Sequence, residues 1–386
     1  MTILIIPLYT LTGFFPFLSG SKLIYSIIVI AYIYLNHLLI RTNRRSTFFL
    51  YNIIFLIYAL YMLIIDQYVF FKDVNFYSYV LIITFSLLFL SPNIIEEYYS
   101  FFMSHKKEFI YSICLFFVFI FISVVTGVGY RYNLDDKMWM LFGPFSLPHI
   151  LGYELLVIYC GVSLYDKENK SLFFLIIKGL ILIMTVLSGV RSAALALSLL
   201  VIYDYISMKN KSQKKTIFVI GIIVLIVIAK QTDFLLNNPL INKTRIAYDH
   251  GSVTSGREWY RKAQLDAFVH KSNFIQKLFG VGIPGVIEYM YQSLGVRIQG
   301  HNDYINTLVG YGIIGFVLLI INQLNLSKVS NSVWSKIFLQ VFIFLLAYYN
   351  GFILYIVFVV SLPIVLCFFK EKQVGKRKRL FYVKRI

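Results

Sequence analysis

The chain has 386 residues, of which 59% are hydrophobic and only 14% charged. Soluble domains run near 45–50% apolar and about 25% charged, so an ordinary water-soluble protein is excluded. The formal charge of +18 is read as lysines and arginines that set orientation and meet anionic headgroups rather than nucleic acid.

In chain order, about twelve apolar runs are long enough to cross a hydrocarbon core of roughly 30 Å. They lie near 3–18, 23–40, 48–65, 76–92, 109–127, 149–165, 172–188, 192–207, 216–230, 301–322, 336–350 and 352–369. The basic groups follow alternate spans: Arg41, Arg44 and Arg45; Lys106 and Lys107; Lys167 and Lys170; Lys209 to Lys215; Lys328 and Lys336; and the tail after Lys370. All fall on one side, so the positive-inside rule places both termini in the cytoplasm. The expected organisation is an N-terminal transmembrane bundle over 1–230, a large extracytoplasmic loop over 231–300, C-terminal spans over 301–370 and a basic tail over 371–386. The N-terminal apolar run has no basic stretch ahead of it, so no cleaved signal peptide is expected. Cys114, Cys160 and Cys367 all lie in apolar runs, which implies packing rather than a disulfide or zinc framework.

Within the outward loop, Trp259, Phe268, Phe274 and Phe279 imply an organised lobe. Ser255-Gly256 offers a helix start. Glu258 to Lys271 reads as a surface helix ending before Gly280.

Chemistry concentrates on that face. Arg131, Arg191, Arg245, Arg257, Arg261 and Arg297 lie outside, where orientation rules disfavour them. The guanidinium is a planar, permanently charged fork suited to phosphate, so the set points to an anionic ligand such as a diphosphate. Arg191 stands in the short turn Leu187-Ser188-Gly189-Val190-Arg191-Ser192, which keeps its charge at the interface. His301 opens the apolar run after the loop and is the candidate general base, since imidazole titrates near neutrality. Nearby arginines and a helix N-terminus are expected to keep it neutral. His149 and Glu154 stand where an outward loop enters a span, and a carboxylate inside a span is a candidate functional group. Gly310, Gly312 and Gly315 are read as close-packing positions. Lys178, inside a span, is read as reaching back to the interface. No histidine has a second ligand at metal spacing, so neither metal nor cofactor is expected.

Four stretches resemble the O-antigen polymerase and O-antigen ligase superfamily, the Wzy-type membrane glycosyltransferases. They are Gly143-Pro144-Phe145 through Leu151-Gly152; Leu187 to Ser192, similar to a Thr-Gly-Ser-Arg-Ser turn with Val190 in place of a serine; Ser255-Gly256-Arg257-Glu258-Trp259 followed by Gly280-Val281-Gly282; and His301-Asn302 followed by Gly312 and Gly315. The interval from Arg245 to Gly256 also fits an arginine–glycine spacing of polymerase loops. The resemblance implies an all-α polytopic fold of the GT-C kind in the plasma membrane. It also implies an undecaprenyl-diphosphate-linked oligosaccharide donor and a metal-independent, inverting transfer. The essential roles fall on Arg191, Arg257 and His301, with Arg131, Arg245, Arg261, Arg297, His149 and Glu154 as further substrate-binding candidates. A polymerase acting on a second lipid-linked repeat unit is the leading expectation, with a chain-length regulator and a flippase as partners. A ligase passing polymer to lipid A-core is the first alternative. A polysaccharide flippase is the second, disfavoured because polar residues gather outside rather than at the bilayer midplane.

Overall fold

The computed structural model describes residues 92–133, 138–169, 171–207, 239–241, 245, 257–298, 300–330, 332–349, 351 and 356–370. The spans expected at 3–18, 23–40, 48–65 and 216–230 lie outside these residues, as do all of 76–92 but its last residue, most of the loop before Arg257 and the basic tail.

The described chain is mostly helical. α1 spans Pro92–Ser104 and α2 Lys106–Val125. A hairpin of β1 (Tyr130–Asn133) and β2 (Met138–Leu141) follows. Its antiparallel register sets Tyr130 opposite Leu141 and Tyr132 opposite Trp139. Then come α3 (Pro148–Asn169), α4 (Leu172–Leu187) and α5 (Arg191–Ser207). The lobe holds α6 (Arg257–Lys271), α7 (Phe274–Phe279) and α8 (Gly282–Leu294). α9 (Asp303–Leu326), α10 (Val333–Tyr349) and α11 (Ile356–Phe369) complete it. Seven of the apolar runs read from the sequence coincide with α2, α3, α4, α5, α9, α10 and α11 to within a few residues.

Local chemistry explains the boundaries. Ser171 caps α4 by accepting from Phe173 N–H (3.3 Å). Asn302 caps α9 by accepting from Ile305 N–H (3.1 Å). Asn273 and Gln276 form a reciprocal capping box on α7. Each cap satisfies donors that the helix start leaves unpaired.

α3 is the central helix. Every residue from Leu151 to Tyr165 is buried, and α3 packs against α4, α5 and α11. A helix enclosed on all sides needs apolar residues all round, which is what Leu155 to Ile158 supply. Small residues permit the closest approaches: a Cβ on Gly152 would stand 2.9 Å from the Ala193 Cβ of α5.

The peripheral helices have the opposite pattern. Exposed apolar residues recur at helical spacing as Leu115, Val118, Ile122 and Val125 on α2, and as Leu172, Ile176, Leu180 and Ile183 on α4. The same holds for Ile313, Val317, Ile321 and Leu324 on α9, and for Trp334, Ile337, Val341 and Phe344 on α10. Lys106–Val125 and Asp303–Val329 are each long and apolar enough to cross a membrane. Apolar stripes facing outward at this scale need a non-aqueous surrounding.

Two expectations change in detail. Lys178 does not reach for the interface. It is buried and its Nζ donates to Asp166 (2.7 Å) and to Asp204 (2.9 Å). Asp204 also accepts from Ser163 Oγ (2.9 Å), so the charges knit α3, α4 and α5 together. The glycines of α9 do allow close packing, but Gly312 also breaks the helix, with φ 70° and ψ −173°. Its neighbour there is the backbone of Leu278 and Phe279 at the end of α7. Gly280 meets Gly310 in the same way, and Val281 N–H donates to Val309 O (3.1 Å), taking up a carbonyl next to the break.

Candidate active site

The site forms where α6 crosses the head of α9 and the foot of α10. On α6, Arg257, Arg261 and Gln264 follow at i, i+4 and i+7, which puts them on one face. Arg257 donates to Tyr349 O (2.5 Å) and Arg261 to Tyr348 O (2.7 Å). The Arg261 guanidinium also lies over the Tyr348 ring, 4.4 Å from its centroid. The last carbonyls of a helix lack intrahelical donors and carry the negative end of its dipole. Two arginines therefore find fixed partners at the end of α10. Hydrogen bonds from charged donors contribute about 1.5–3 kcal/mol each. The bonds consume only part of each five-donor fork. Arg261 is buried, and its Nε–H has no acceptor among the described residues.

His301 sits at the junction. It precedes the Asn302 cap of α9 and adopts φ 49°, the one non-glycine positive φ among the described residues. A non-glycine residue in this region is uncommon and is held there by its surroundings. Burial lowers the imidazole pKa from 6.5 to about 4, with the Arg257 and Arg261 charges pushing the same way. The ring is therefore neutral at physiological pH and able to accept a proton. Asp303, the first residue of α9, is buried against Gly351, where a Cβ would come within 2.6 Å of its Oδ1. The opening of α9 is thus locked to the α10–α11 junction.

The remaining expected residues are more scattered. Arg191 is the first residue of α5. Its turn packs through Gly189 against Met140 of β2 and against Pro239. Arg131 donates to Phe145 O (2.6 Å) and Ser146 O (3.2 Å) and lies 4.2 Å from the Phe142 ring centroid. It orders the loop leading into α3. Arg297 is exposed, 4.9 Å from the Tyr291 ring centroid, and Arg245 is exposed. His149 lies half-buried in the first turn of α3 and Glu154 is buried further along it. The guanidiniums that act on the His301 imidazole are those of Arg257 and Arg261.

Sequence reasoning missed Gln264 and Asn306, both buried, with Gln264 Nε2 donating to Asn306 Oδ1 (3.2 Å). The i, i+4, i+7 spacing from Arg257 is the signal that could have found the first. Among the described residues no group of three or more His, Cys, Asp or Glu is placed to hold a metal ion.

Residues 176–320 match the family model described as O-Antigen ligase. The matched segment runs from α4 into α9 and contains Arg191, Arg257, Arg261 and His301. The motif resemblance to the O-antigen polymerase and ligase superfamily therefore stands. No curated protein and no solved structure matches the chain.

Proposed function

We propose that this chain, whose residues 176–320 match the family model described as O-Antigen ligase, polymerises a cell-envelope polysaccharide. The donor is a glycan on undecaprenyl diphosphate. The acceptor is a sugar hydroxyl on a second lipid-linked repeat unit. The carrying observation is a half-buried imidazole, its pKa lowered by desolvation and by two anchored guanidiniums, at the head of an apolar helix long enough to span a bilayer.

In this reading the acceptor oxygen attacks the anomeric carbon of the donor sugar. The bond from that carbon to the diphosphate oxygen breaks, and its electron pair leaves with the lipid diphosphate. The acceptor proton passes to His301. Arg257, with Arg191 from α5, takes the charge that grows on the diphosphate. Arg261 adds to the same field. Fixed positive groups need no reorganisation as that charge develops. A diphosphate between the arginines also offsets their charge, so it raises the His301 pKa and makes the imidazole a stronger base once donor is bound. Arg131, Arg245, Arg297, His149 and Glu154 then belong to the approach of the glycan. The apolar stripes of α2, α4, α9 and α10 support a multi-pass membrane protein, and the one-sided basic groups support α6 to α8 on the outer face of the plasma membrane with both termini in the cytoplasm.

Transfer of finished polymer to lipid A-core is the second reading, favoured by the description of the matched family. The same residues serve it. One experiment separates the two. The gene is deleted, lipid-linked glycans are profiled, and the strain is complemented with wild type, His301→Ala or Arg257→Ala. Single repeat units without long polymer indicate the polymerase. Polymer stranded on its carrier indicates the ligase. Full rescue by both variants would falsify the site.

A further inference from the structure

Gln264 is wholly buried one helical turn beyond Arg261. Its Nε2–H bonds Asn306 Oδ1 in the first turns of α9. Its Oε1 receives no hydrogen bond among the described residues. That oxygen lies against Gly300, where an added Cβ would overlap it. A buried amide with one polar atom unmatched is destabilising. A leucine would pack α6 onto α9 without that penalty. The residue that follows Gly300 is His301, in its left-handed conformation, and the residue after that is the capping Asn302. The His301 backbone is therefore bracketed, by the Gln264–Gly300 contact before it and by the α9 cap after it.

We infer that Gln264 is the positioning residue of His301. Its carboxamide, tied to Asn306 and seated against Gly300, holds the Gly300–His301 turn so that the imidazole stays beside Arg257 and Arg261. This inference rests on the proposed role of His301. It needs glycine at position 300, because any side chain there would displace the carboxamide. The ionisable groups on the elements around the ring include Arg257, Arg261 and Asp266 of α6, Glu288 and Tyr289 of α8, Asp303 and Tyr304 of α9, and Tyr348 and Tyr349 of α10. Of these, Arg257 and Arg261 act on the imidazole.

The test uses the full chain in lipid nanodiscs with labelled histidine, the His301 signal being assigned by its loss in His301→Ala. Gln264→Leu preserves volume and removes the carboxamide. The titration midpoint of His301 is expected to rise towards its ordinary value. The turnover number for polymer formation is expected to fall at least about tenfold with donor KM within about twofold, as misplacement of a reacting group predicts. Gly300→Ala is expected to act in the same direction. The double variant Gly300→Ala/Gln264→Ala should be no worse than the poorer of Gly300→Ala and Gln264→Ala, because the methyl then has room. An unchanged midpoint and rate in Gln264→Leu, or losses that simply add in the double variant, would overturn the inference. Full activity in His301→Ala, with the His301 midpoint still moved by Gln264→Leu, would overturn the base assignment while leaving the positioning intact.

Discussion

An imidazole whose pKa has fallen to about 4 is neutral over nearly the whole working range of a cell envelope, and the sign fixes its pH behaviour. The base form is lost only as pH drops through the lowered value, so the acid limb of kcat/KM lies well below 6.5. In the proposed mechanism donor diphosphate offsets the guanidiniums, so the acid limb of kcat is expected at higher pH than that of kcat/KM. Removing one positive neighbour with Arg261→Met moves the kcat/KM limb up. Coincident limbs in pH–rate profiles, unmoved by that change, would contradict this electrostatic coupling. The same shift affects stability. The unfolded chain takes up the His301 proton first, so stability falls as pH drops from about 6.5 towards 4. Arg257→Lys and Arg261→Lys keep the charge but lose the planar fork. Arg261→Lys also loses the guanidinium stacked on Tyr348. Each is expected to lower stability by about 1–2 kcal/mol, measured as a thermal shift in detergent. Arg257, Arg261 and His301 were legible as residue types in a polar lobe. Their meeting point was not, because the carbonyls of Tyr348 and Tyr349 that fix it are backbone atoms of a helix 87 to 92 positions away.

At the scale of elements, two features carry stability predictions. Gly312 adopts a backbone that L-residues rarely enter and stands against the α7 backbone. Gly312→Ala is expected to cost about 1–3 kcal/mol from conformation alone, with more from the overlap, and to loosen α7. In sequence, Gly310, Gly312 and Gly315 have the same form whether a helix packs closely or breaks, so only the packing was legible. Lys178 neutralises the buried Asp204 and the half-buried Asp166. Lys178→Met leaves those carboxylates uncompensated, and loss of one partner of a buried pair costs about 3–5 kcal/mol. Lys178→Met/Asp204→Asn should recover part of that in the same melting assay, and no recovery would argue against direct pairing. A lysine six residues inside a span reads as interfacial, since nothing local announces that Asp166 and Asp204 come from neighbouring helices. The β1–β2 hairpin was also missed. Strands of four residues leave too short an alternation to distinguish from a loop.

For the whole molecule, the apolar runs from α2 onward were legible because bilayer length and hydrophobic content are properties of contiguous sequence. The fold adds what periodicity cannot give: a fully enclosed α3, outward apolar stripes on α2, α4, α9 and α10, and a polar lobe seated over the α9–α10 ends. Orientation makes a direct prediction. In a cysteine-free background, Glu258→Cys on the lobe should react with a membrane-impermeant maleimide added to intact cells or spheroplasts. Lys107→Cys, at the start of α2, should react only after permeabilisation. The reverse pattern would put the lobe in the cytoplasm and favour transport over transfer.

The most direct measurement compares donor binding and polymer formation by purified wild-type protein, His301→Ala and Arg257→Ala in nanodiscs, supplied with one lipid-diphosphate-linked repeat unit. His301→Ala should bind donor as tightly as wild type and make at least about a hundredfold less polymer, whereas Arg257→Ala should lose affinity for the donor. Polymer formation by His301→Ala at the wild-type rate would contradict the account.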